Sequence, residues 1–239
     1  MIEVLKIEKS LKSLENKKQA VILQKFFKTG VGEYGEGDVF LGLMVPSIRR
    51  IAKQYSHITF PDIKKLLHSQ IHEYRQCALF ILVEQYKVSG ESLRDKIAGF
   101  YFKNTKYINN WDLVDLSAPN ILGNYLVDKP KDVLYKMAKS KNLWNRRISI
   151  ISTFSFIQLT KFSDTLKIAQ ILLKDGEDLI HKAVGWMLRE VGNRSLKDEE
   201  KFLQKHYKNM PRTMLRYAIE KFPEVKRQKY LKGSIHTKA

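Results

Sequence analysis

The sequence predicts an all-α fold, an α-solenoid in which helix pairs stack on their neighbours. Three observations predict it. Apolar residues recur at three- and four-residue spacing, the helical period, through segments of 12 to 18 residues. Strict two-residue alternation bounded by turn residues is hardly seen. A basic residue, a small residue and an apolar run also recur along the chain at intervals close to one helix pair or two.

Composition supplies the material. The chain has 239 residues, 44% of them hydrophobic, enough for a sizeable core. Lys plus Arg is 43 against 25 acids, a net charge of +18, which excludes an acidic, solvating protein and points to a polyanionic partner. One cysteine, Cys77, excludes a disulfide framework or a cysteine-based zinc site. The longest apolar run, Ala78 to Val83, is too short to span a bilayer. The start, Met1-Ile2-Glu3-Val4, carries an acid and no apolar signal core, so the expectation is a cytoplasmic protein with no membrane association.

Taken in order, Val21, Ile22, Lys25 and Phe26 mark an early helix. Five glycines between Gly30 and Gly42 mark one long loop. Its Gly30-Val31-Gly32-Glu33-Tyr34-Gly35 satisfies a dinucleotide fingerprint. However, the segment before it has helical spacing, and Glu33, Glu36 and Asp38 repel phosphate, so it reads as a turn-rich connection. Val45-Pro46-Ser47 reads as a helix start leading into Arg49, Arg50 and Lys53. Helical runs follow at Cys77 to Tyr86 and Ile180 to Val191. The basic-small-apolar pattern begins at Arg75, Arg146, Lys182 and Arg216, with gaps of 71, 36 and 34 residues. A unit of that size is one helix pair, which cannot bury its apolar face alone; a stack of HEAT-like pairs with a concave basic face is the expected architecture. One such domain is expected over 1–223, followed by a basic, frayed tail over 224–239 with Lys226, Arg227, Lys229, Lys232 and Lys238.

Each of the three tryptophans sits beside charge at helical spacing. Trp111 and Asp115 are i and i+4, Trp144 and Arg147 are i and i+3, and Trp186 lies between Lys182 and Arg189. The spacing places Trp111, Arg147 and Trp186 at equivalent positions of consecutive repeats, on one inner wall. Asp112 is explained by the helix dipole, whereas Asp115 lies a turn further in, where that benefit has faded. The bland alternatives remain open here: an exposed or ion-paired acid for Asp115, and core packing for the tryptophans, above all Trp144. His57, His68, His72, His181 and His206 read as surface residues. The His68-Ser69-Gln70-Ile71-His72 segment lacks the glutamate of a helical zinc motif, so neither metal nor cofactor is expected.

The segments Gly32 to Gly42, Val45-Pro46 with Arg49-Arg50, Asn110-Trp111-Asp112-Leu113-Val114-Asp115, Trp144-Asn-Arg-Arg147 and Lys182-Ala-Val-Gly-Trp186-Met-Leu-Arg189-Glu together resemble the AlkD-type DNA alkylation repair proteins, over roughly residues 20 to 220. The resemblance implies HEAT-like repeats and a DNA glycosylase that releases cationic purines such as 3-methyladenine and 7-methylguanine from double-stranded DNA. It places catalytic roles on Asp115, Trp111 and Trp186 and phosphate clamping on Arg147. It also implies an open cleft gripping the backbone. Similar proteins carry cleft-lining aromatics shortly before Trp186, where this chain has Asp178-Leu179-Ile180.

The chemistry suits these residues. A purine alkylated at N3 or N7 leaves without a proton, so one carboxylate facing the oxocarbenium-like sugar suffices where glycosidases normally use two. Arg49, Arg50, Arg146, Arg147, Lys182 and Arg189 are candidate phosphate contacts, with solvated helix surface as the alternative for each. The reaction needs only a monomer. The competing reading is a non-catalytic HEAT-repeat protein that binds nucleic acid or a protein partner.

Overall fold

The computed structural model describes residues 2–235 and is all-α; among them the extended backbone pairs at one bridge, Val39 with Ile71. The chain forms two compact units, 1–121 and 122–239, where the sequence reading has a single repeat domain. Unit 1 contains α1 (Ile2–Lys12), α2 (Lys17–Phe26), α3 (Val45–Gln54), α4 (Phe60–Leu67), α5 (His72–Val88), α6 (Glu91–Lys103) and α7 (Trp111–Ser117). Unit 2 contains α8 (Asn124–Leu126), α9 (Asp132–Ala138), α10 (Leu143–Ser152), α11 (Phe154–Gln158), α12 (Ser163–Ile171), α13 (Asp178–Gly192), α14 (Leu196–His206), α15 (Arg212–Ala218) and α16 (Glu224–Leu231).

Local chemistry starts these helices, that of α3 where the sequence reading has it. Pro46 lies in the first turn of α3, where its missing N–H costs nothing. Asn110 caps α7 by accepting from the Trp111 amide (2.8 Å), and Asn142 caps α10 by accepting from Trp144 (2.8 Å) and Asn145 (3.1 Å). In unit 1, α5 is the hub, packing on α3, α4, α6 and α7, and every side chain from His72 to Val83 is buried. In unit 2 the hub is α13, packing on α10, α12, α14 and α15. Gly185 lets α13 approach α15, since a Cβ there would lie 2.5 Å from the Met214 carbonyl.

The recurring basic residue has a structural cause. Before α5, α10 and α13, a short polar side chain (Ser69, Ser140, Asp175) accepts from the amide two residues on, at 3.0, 3.1 and 3.0 Å. Six residues after it, Arg75, Arg146 and His181 donate back to its carbonyl, at 3.3, 3.0 and 2.5 Å. The register is thus 71 and then 35 residues, and His181, not Lys182, is the third member. In that register Arg147 matches Lys182, and Trp186 matches Ile151 and Phe80. The expected equivalence of Arg147 and Trp186 is therefore corrected: they occupy positions one helical turn apart.

The segment expected to fray from 224 instead forms α16. Tyr230 is only 2% exposed, with its ring edge-on to Tyr207 and Phe222, and the Tyr207 hydroxyl donates to the Gly233 carbonyl (3.1 Å). One aromatic anchor outweighs the lysine-rich composition. Lys238 lies outside the described residues.

Candidate functional site

In unit 1 the glycine loop is more than a connection. The amides that a phosphate would need are bonded by the loop's own carboxylates, Gly30 to Glu33 (2.8 Å) and Gly32 to Glu36 (2.9 Å). Further on, the amides of Leu41, Gly42 and Leu43 converge on the buried Glu73 carboxylate, at 2.8 to 3.2 Å. Between these two anchors the loop delivers Asp38 into the interior.

Asp38 meets a buried network. Its Oδ2 accepts from Arg75 (2.6 Å), from Asn110 (3.3 Å) and from Nδ1 of His72 (3.1 Å). The other ring nitrogen, Nε2, donates to Oδ2 of Asp112 (2.7 Å), which also accepts from Gln76 (2.9 Å). A carboxylate only accepts, so an imidazole held between two of them carries both protons and is cationic. Burial pulls the His72 pKa down, but Asp112 and Asp38 more than reverse this and hold it at about 9. Burial likewise opposes ionisation of Asp38, yet its bonds to His72 and Arg75 outweigh that and hold it below the usual carboxylate range. His72 is thus 2% exposed, which corrects the surface reading. Asp112 does more than complement a dipole. The sequence reading missed Asp38, Gln76 and Glu73; the signal available was Arg75, already marked as the head of a recurring pattern.

On this foundation α7 presents Trp111 and Asp115, both half-buried and on one face. The Trp111 indole stacks on Phe27 (5.2 Å between centroids, planes 14° apart), with the edge of the exposed Phe26 at 6.0 Å. Phe27, Phe40 and Ala20 form the small core against which Trp111 packs. Burial pushes the Tyr101 phenol up, and the charge of Asp115 adds to this.

In unit 2, Trp186 is half-buried on α13; its indole N–H donates to Glu190 (3.3 Å), and Phe154 lies 6.1 Å away. Arg147 is buried and donates to the Leu179 carbonyl at the start of α13 (2.5 Å). Trp144 is core, as the bland alternative has it. Arg146, a candidate phosphate contact, is instead engaged by Asp175 through two bonds (2.6 and 3.2 Å) and by the Ser140 and Lys141 carbonyls. Lys182 pairs with Asp178 (2.8 Å) and Arg189 with Glu220, so both cations sit beside acids, pairings that the sequence reading did not include. Back in unit 1, Arg49, Arg50 and Lys53 are exposed on α3 beside a surface groove of about 690 Å³, the Arg49 guanidinium 4.8 Å above the Phe80 ring.

Comparison with known proteins bears on the family and the fold. A family model described as DNA alkylation repair enzyme matches residues 7–222. A solved structure described as a predicted DNA alkylation repair enzyme from Enterococcus faecalis superposes with a TM-score of 0.68 at 15% identity, covering 88% of this chain and 97% of that one. At that identity the likeness shows the fold. No curated protein matches. With nearly the whole chain matched by one family model, and with the Trp111–Asp115 helix and the Arg147 and Trp186 helices inside the match, the chain belongs to the DNA alkylation repair enzyme family.

Proposed function

We propose that the protein is a DNA glycosylase that hydrolyses the N-glycosyl bond of cationic N3- or N7-alkylated purines, such as 3-methyladenine and 7-methylguanine, in double-stranded DNA. The observation that carries this reading is α7: a half-buried carboxylate, Asp115, one turn from a half-buried indole, in a chain of net charge +18. The alkylated base is already a good leaving group. Asp115 stabilises positive charge as it develops on the sugar and orients the attacking water. A unit charge pair at ~4 Å with an effective dielectric near 20 is worth ~4 kcal/mol, about a thousandfold in rate.

Trp111 offers an aromatic face to the sugar, and Trp186 offers one to the cationic base. Such contacts are worth roughly 0.5–2 kcal/mol each and discriminate against a neutral base without hydrogen-bond readout. Arg147 clamps phosphate by giving up the Leu179 carbonyl that it engages in the buried state, and the exposed Arg49 and Arg50 add backbone contacts that carry no sequence information. Lys182 and Arg189 join them by exchanging Asp178 and Glu220 for phosphate. No metal or cofactor enters, and one copy of the chain performs the reaction in the cytoplasm.

The test is release of free methylated purine from alkylated duplex DNA by the wild type and by Asp115→Asn. The expected loss is about a thousandfold with DNA binding retained. Equal activity in both would discard the role of Asp115. Activity absent from both would leave a non-catalytic binding module.

A further inference from the structure

The quartet of buried Asp38, His72 and Arg75 with half-buried Asp112 carries two positive and two negative charges. The titratable and charged groups facing the His72 ring are Asp38 from the loop, Asp112 from α7 and Arg75 from α5 itself; the rings of Phe27 and Phe40 also lie against it, at 5.1 and 4.5 Å. Two routes lead from this ring to α7. One is polar. Asp112 is held through Oδ2 by His72 and Gln76, while its Oδ1 is buried with no hydrogen-bond partner. The other is a continuous stack: His72 on Phe40 (4.5 Å), Phe40 on Phe27 (5.0 Å) and Phe27 on Trp111 (5.2 Å).

We propose that His72 is a positioning residue: clamped between Asp38 and Asp112, its imidazolium fixes the first turn of α7 against the glycine loop and so sets the angle at which Trp111 and Asp115 are presented. A neutral ring has one N–H and serves only one of the two carboxylates. Losing the proton therefore removes one of these two bonds, so that Asp38 keeps only Arg75 and Asn110 or Asp112 keeps only Gln76, at a pH near 9. With His72 only 2% exposed, the effect reaches the reaction through α7. In its kinetic consequence this inference rests on the glycosylase reading above; in its structural part it does not.

The experiment separates the two. The protein is labelled with 5-fluorotryptophan, and the Trp111 fluorine resonance is assigned by its absence in Trp111→Phe. The resonance is followed from pH 7 to 10.5 in the free wild type and in His72→Gln. The expected result is a shift with midpoint near 9 in the wild type and none in His72→Gln. A wild-type resonance that stays flat, or that moves equally in both, overturns the proposal. The wild-type titration alone decides this if the variant does not fold, and Asp112→Asn, which removes one half of the clamp, is the second variant. Release of 7-methylguanine is then measured from pH 7 to 10. His72→Gln is expected to lower kcat about tenfold with KM within about twofold, and to lose the wild-type decline near pH 9. A shift of Trp111 without any change in kcat overturns the role in catalysis. No release by the wild type refutes the glycosylase reading, and the fluorine titration still decides the hold of His72 on α7.

Discussion

Replacing Glu199 by glutamine should make the protein more stable at neutral pH and leave it unchanged in acid. Glu199 lies on α14 and is 2% exposed; its Oε1 has no hydrogen-bond partner, and a Cβ on Gly192 would fall within its carboxyl group. Burial pushes its pKa up to about 8 from 4.5; the neighbouring Glu200 adds to this, and Arg189 and Lys226 only partly offset it. Between these two values the unfolded chain ionises Glu199 while the folded chain keeps the proton. Stability is therefore fully present below pH 4.5 and is lost as pH rises through about 8. At pH 7.5 the gap is about 3 pH units, or about 4 kcal/mol at 1.36 kcal/mol per unit. Glutamine fills the same space and cannot ionise, so Glu199→Gln should gain most of that amount. Urea unfolding followed by fluorescence at pH 5, 6.5 and 8 reads the difference between the two proteins. The titration of His72 is common to both and cancels. An equal difference at pH 5 and pH 8, or a loss of stability at pH 8, would refute the reasoning.

Two further perturbations test the loop that supports α7. Gly42 has φ +83°, and a Cβ there would lie 2.2 Å from the Asn16 carbonyl and 2.6 Å from the Ala20 amide, both backbone atoms of α2 or its cap. Gly42→Ala should cost about 3 kcal/mol by urea unfolding, and a change within about 0.5 kcal/mol would show that the loop yields easily. Glu73→Ala leaves the Leu41, Gly42 and Leu43 amides without their acceptor. At about 1–3 kcal/mol for each buried unpaired donor, the loss should be about 3 kcal/mol or more. Tryptic cleavage after Lys28 should accelerate in step, and unchanged cleavage would mean that other contacts hold the loop.

Much of this fold is legible in a string of letters because its causes are local. Helical spacing marked α2, α5 and α13, Val45-Pro46 marked the start of α3, and the i, i+4 relation of Trp111 and Asp115 holds within one helix whatever surrounds it. Recurrence was visible too, but its register was one residue off at the second step, where the third member falls. The pattern of residue types cannot tell Lys182 from His181, whereas the hydrogen bond to the Asp175 carbonyl can. Arg146 shows the same limit. A basic residue beside a tryptophan reads as a phosphate contact until Asp175, 29 residues away, is seen to engage it.

The sequence by itself determined the helical class, the net positive charge, the loop between α2 and α3, and the pairing of an acid with an indole on α7, all of which follow from spacing and composition. Tertiary structure alone decided which charges are buried. It brought Asp38, His72 and Asp112 together across 34 and 40 residues, made a histidine of ordinary appearance cationic, and paired Lys182 and Arg189 with acids of their own unit. The physical reason is that ionisation, burial and pairing depend on neighbours in space. Those neighbours are supplied by packing around α5 and α13, where no rule of spacing reaches.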